Sequence, residues 1–138
     1  MTSSRIRILF GCLILAQAAH SIEEYAGRLW ETFPPARFLS GLVSSDHERG
    51  FVIANLLLVA FGVWCFLWPV SRGWASSRRV VAGWAAVEAI NGIGHPLWSL
   101  RQGGYTPGVA TAPLLLGLAA ALLVTFRAAP SARPALTE

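Results

Sequence analysis

Four apolar runs divide this chain, and each is close to the length of a membrane-crossing helix. They cover about 6–24, 51–70, 79–100 and 108–126. About 20 apolar residues in a helix cross about 30 Å of hydrocarbon. A segment in lipid must satisfy its own backbone hydrogen bonds, which leaves only helices or a closed barrel. The runs lack the strict alternation of barrel strands, so they predict helices. The expected architecture is all-α: an integral membrane four-helix bundle over 1–127, followed by a disordered Pro- and Ala-rich tail over 128–138.

Charge supports this reading. Only 13% of the 138 residues are charged and 54% are hydrophobic, with a mean hydropathy of +0.53. Soluble domains carry about 25% charged residues. The net charge of +4 comes from eleven basic residues, all of them Arg. They stand singly beside apolar runs and form no basic stripe, which excludes a nucleic-acid partner. Seven of them (Arg5, Arg7, Arg72, Arg78, Arg79, Arg127 and Arg133) fall on one side of a four-span chain. Arg28, Arg37, Arg49 and Arg101 fall on the other. That bias predicts a multi-pass protein of the cell membrane with both termini cytoplasmic. A cleavable signal peptide ending near Ala18 is the rival reading of the first run. Cys12 and Cys65 sit in apolar runs with no paired motif, so they read as inert thiols.

A few ionisable residues lie inside the runs, where charge costs several kcal/mol unless it is paired or faces a polar cavity. His20, Glu23 and Glu24 close the first run; Glu88, Asn91 and His95 lie inside the third; Asn55 lies one turn into the second. On a helix, His20 and Glu24 share a face, with Gln17 one turn before them. Glu88, Asn91 and His95 share another, with Trp84 and Trp98 on the same side. At 1.5 Å per residue, His20 lies roughly 20 Å along from Arg7, and Glu88 and His95 roughly 14 and 24 Å along from Arg79. The first and third helices run parallel, so their polar faces reach one level.

His20-Ser21-Ile22-Glu23-Glu24 resembles the signature of the HXXEE family of small membrane proteins. His95 and Tyr105-Thr106-Pro107-Gly108 match that family's further histidine and its Y-x-P-G motif. The resemblance implies a shared fold and a shared site, but no reaction.

The expected site has His20, Glu24, Glu88 and His95 at its core, with Glu23, Asn55, Asn91, Tyr105, Trp84 and Trp98 in support. Imidazole and carboxylate together suit a divalent zinc, iron or manganese ion, with His20, Glu24, Glu88 and His95 as ligands. Without a metal, a Glu and a His in a low-dielectric cavity can pass a proton to a substrate double bond or epoxide, with Trp84 and Trp98 beside a carbocation. Both readings make the chain an enzyme of isomerase, cyclase or hydrolase type, acting on a hydrophobic small molecule drawn from the lipid bilayer. The alternative is non-enzymatic: a proton relay, or a binding or scaffold protein in which His20–Glu88 and His95–Glu24 pairs staple the helices.

Overall fold

The computed structural model describes residues 3–128, and the described residues are all-α, with no strands. The expected tail falls outside the described residues apart from its first position. Helix α1 (Ser4–Ala26) starts where the Ser3 hydroxyl accepts from the Ile6 N–H at 3.3 Å. Ile6, Phe10, Leu13, Gln17, His20 and Glu24 are buried along one stripe of it at three- and four-residue spacing. It stops at Gly27, and Arg28 then takes a left-handed conformation (φ 55°) that turns the chain into α2 (Leu29–Thr32).

Two prolines open α3 (Pro34–Val43), where a missing N–H costs nothing. Its Ser40 is buried against the next helix, while Phe38, Leu42 and Val43 face outward. Gly50 permits this packing, because a Cβ there would overlap the Ser40 backbone. Helix α4 (His47–Val70) begins at Asp46, whose carboxylate accepts from the Arg49 N–H at 3.1 Å. Its last five residues, Phe66–Val70, widen into a π-turn around Pro69. Proline has no N–H to offer the α ladder, and Ser71 N bonds Phe66 O instead, at 3.0 Å.

Helix α5 (Ser77–Gln102) ends at left-handed Gly103 (φ 71°). Helix α6 (Ala112–Ala128) packs on both α1 and α5. Phe10, Leu13, Ile14, Val81, Trp84, Ala85, Leu115, Ala119 and Leu122 form the main core among these three helices, and Cys65 and Val70 of α4 join it. A smaller cluster of Leu29, Trp30 and Phe51 fastens α2 to the start of α4. The end of α1, the start of α4, the end of α5 and the start of α6 meet at one end of the bundle.

Among the described residues, two helices are long and apolar enough to cross a membrane: Ser4–Ala26 and His47–Val70. Helix α6 begins at Ala112, later than the expected 108, because residues 108–111 fold into a turn that serves the site.

Candidate functional site

Three acidic or imidazole side chains converge at the gathered end of the bundle. His20 Nε2 lies 3.3 Å from Glu24 Oε1, one helical turn away on α1. His95 Nε2, from α5, lies 3.1 Å from the same oxygen. The two imidazoles meet edge to face, with centroids 4.7 Å apart. His20, Glu24 and His95 are all buried, and their ligand atoms lie within 4.8 Å of one another.

The far nitrogen of each ring is fixed by a different partner. His95 Nδ1 lies 2.9 Å from the Pro107 carbonyl, which can only accept, so Nδ1 carries the proton. His20 Nδ1 lies 2.6 Å from Thr111 Oγ1. That hydroxyl has already given its one proton to Glu23 Oε2, 2.6 Å away, so His20 Nδ1 must donate to it. In the neutral form each ring then turns its Nε2 lone pair toward Glu24, and in the imidazolium form Nε2–H donates to that carboxylate.

Glu23 organises the outer layer. Its carboxylate accepts from Tyr105 OH (2.7 Å), Gly108 N (3.0 Å), Ala110 N (3.0 Å), Thr111 N (2.9 Å) and Thr111 Oγ1. The turn before α6 thus spends its unpaired N–H groups on a side chain of α1. The bond to this carboxylate pushes the Tyr105 phenol above its ordinary value, since losing the proton would set two anions side by side. Gly108 has φ +92°. A Cβ there would lie 2.5 Å from His95 Nδ1 and 2.9 Å from His20 Cε1, so only glycine fits between the two rings.

The other expected residues fall elsewhere. Glu88 is fully buried but is not one of the three converging groups. It reaches Asn91 Nδ2 at 3.2 Å, and one end of the Gln17 amide lies 2.8 Å from its Oε2. The other end of that amide is 3.1 Å from Ser21 Oγ, which donates to Asn55 Oδ1 at 2.7 Å. The His20–Glu88 pairing expected for a staple is replaced by a shared Glu24. Trp84 does not face the site: it packs edge-on to Phe10 (6.4 Å) and stacks with Phe61 (6.1 Å) in the apolar core. Trp98 meets Phe33 at 5.2 Å, and Phe33 in turn lies 5.8 Å from the His95 ring.

A cavity of about 400 Å³ opens beside the cluster. Glu24, His95, Asn55 and Asn91 give it a polar end, and Phe33, Leu39, Phe51, Leu58 and Ile90 line the rest. Sequence reasoning missed Thr111 and the Pro107 carbonyl. Thr111 was readable as a lone hydroxyl just after Y-x-P-G, at the head of an apolar run.

A family described as a protein of unknown function with an HXXEE motif matches residues 12–123. The chain belongs to the HXXEE family. Its motif supplies His20 and Glu24 to the converging group and Glu23 to the layer behind it. No curated protein and no solved structure matches the chain.

Proposed function

We propose that this HXXEE protein is a four-span integral membrane enzyme that holds a divalent metal ion between His20, Glu24 and His95. The donor count carries the metal reading. With both rings neutral, three acceptor atoms, two of them Nε2 lone pairs, meet in a buried site with no proton among them. A proton on one imidazole would leave the other lone pair facing the Glu24 oxygen. Protons on both would bury two cations against one carboxylate, at a cost of several kcal/mol per unbalanced ion. A divalent cation satisfies all three atoms at once, and two imidazoles with one carboxylate are a common set for zinc or non-haem iron. When bound, such an ion supplies Lewis acidity beside the cavity.

The chain supplies the rest of the site. Thr111 and the Pro107 carbonyl hold each imidazole in the tautomer that turns Nε2 inward. Phe33, Phe51 and Leu58 keep the cavity apolar, and its volume falls in the range of small-molecule sites. A substrate with an apolar body and one polar end fits that lining.

The membrane reading rests on an inverted distribution of polarity. Leu15, Ile22, Ile90 and Leu100 are each at least 70% exposed, while Gln17, His20 and Glu88 are buried. Apolar outside and polar inside suits lipid as the solvent. In this reading α5 spans despite its polar residues, because they face the bundle interior. The Arg bias then sets both termini in the cytoplasm.

Elemental analysis of protein purified in detergent tests the metal. After loading with zinc, iron or manganese, the wild type is expected to retain one equivalent. His20→Ala, Glu24→Ala and His95→Ala are each expected to lose it. A wild type that retains none of the three metals would sink the metal reading.

A further inference from the structure

Glu88 lies outside the converging group and is fully buried; its side chain meets Asn91 and the Gln17 amide, and the ionisable groups that act on it are His20 and Glu24. Its neighbours decide where its proton sits. Five groups form a row: Glu88, Gln17, Ser21, Asn55 and the Phe51 carbonyl. Its far end is fixed, because Asn55 Nδ2 donates to Phe51 O at 3.1 Å, so Asn55 Oδ1 faces Ser21 Oγ at 2.7 Å. The single proton of Ser21 is therefore committed to Asn55, and Ser21 can only accept from Gln17.

The Gln17 amide can sit in two ways. With its nitrogen toward Glu88, its oxygen would need the Ser21 proton that Asn55 already holds, leaving two bare oxygens 2.7 Å apart. Turning Asn55 to relieve this would set its oxygen against the Phe51 carbonyl. In the other orientation Gln17 Nε2 donates to Ser21 Oγ at 3.1 Å, and Gln17 Oε1 faces Glu88 at 2.8 Å from Oε2 and 3.1 Å from Oε1. Every contact in the row then has one proton, on the condition that Glu88 brings one.

The structure assigns Glu88 as a neutral carboxylic acid whose O–H donates to Gln17 Oε1 and sets the direction of a hydrogen-bond chain through Ser21 to Asn55. Glu88 is a positioning residue rather than a ligand. The same acid accepts from Asn91, so it orients two of the three amides, Gln17 and Asn91, on the cavity wall, and the chain orients the third, Asn55. These three amides add no charge of their own to the cavity, whose ionisable lining is Glu24 and His95. The inference goes beyond the metal reading and holds with or without a bound ion.

Infrared spectroscopy of the full chain in vesicles at neutral pH tests it. The wild type is expected to show a carboxylic-acid carbonyl band that is lost in Glu88→Gln and kept in Glu23→Gln. The Gln variant replaces the acid donor for donor, so its melting temperature and its metal content are expected to match the wild type, whereas Glu88→Leu melts lower. Absence of the acid band from the wild type overturns the assignment. So does a Glu88→Gln protein that keeps the band, melts well below the wild type or fails to fold. Metal content read on the same samples separates this outcome from failure of the metal reading.

Discussion

Thr111 is the residue on which the chemistry of His20 turns. Its hydroxyl stands between the Glu23 carboxylate and His20 Nδ1, at 2.6 Å from each. Thr111→Val keeps the shape but leaves the His20 N–H buried and unpaired, at a cost of about 1–3 kcal/mol. It also frees the ring to change tautomer. Metal affinity is expected to fall about 10–100-fold, the usual effect of losing an outer partner of a metal-binding histidine. Thr111→Ser is expected to restore it. Titrating zinc into both variants with a competing chelator measures this, and equal affinity in Thr111→Val and wild type would remove Thr111 from the site. Gly108 is as constrained. Its positive φ alone costs a non-glycine residue on the order of 1–3 kcal/mol, and a methyl group would press on both imidazoles. Gly108→Ala is expected to lower the melting temperature and abolish metal binding together.

At Gly92, α5 and α6 approach closely. A Cβ there would lie 2.6 Å from Leu116 Cβ and 2.9 Å from Leu116 N. Gly92→Ala forces the pair apart and is expected to cost about 1–3 kcal/mol, read as a lowered melting temperature in detergent. Gly117 of α6 plays no such part, since a Cβ there meets nothing within 4 Å. Helix α3 is one-sided and roofs the cavity through Leu39 and Ser40. Trp30 of α2 is buried against Phe51 and Tyr25.

At the scale of the whole molecule, the proposed four-span arrangement predicts a definite sidedness. The α3–α4 connection and the α4–α5 connection lie at opposite ends of α4. In a Cys12→Ser, Cys65→Ser background, Ser45→Cys is expected to react with an impermeant maleimide in intact cells. Ser71→Cys is expected to react only after permeabilisation. The reverse pattern would overturn the orientation, and labelling of both in intact cells would overturn the four-span reading.

Helical class and the family followed from the sequence alone. Hydropathy and helical spacing are local properties, and His20-Ser21-Ile22-Glu23-Glu24 is contiguous. The pairing of His20 with Glu24 was legible for the same reason, since i and i+4 share a helix face. Which third group joins them was not. Glu88 and His95 share a face of α5 only about two turns apart, and the sequence cannot say which of them meets α1. Tertiary packing decided it: α5 brings His95 to Glu24 and leaves Glu88 to Gln17. Packing also divided the adjacent pair Glu23 and Glu24, roughly 100° apart around α1. One carboxylate turns toward the head of α6 and gathers its N–H groups; the other turns inward to the histidines. A sequence shows which residues are costly to bury, but the partners that make their burial tolerable come from other helices and are fixed only when those helices pack.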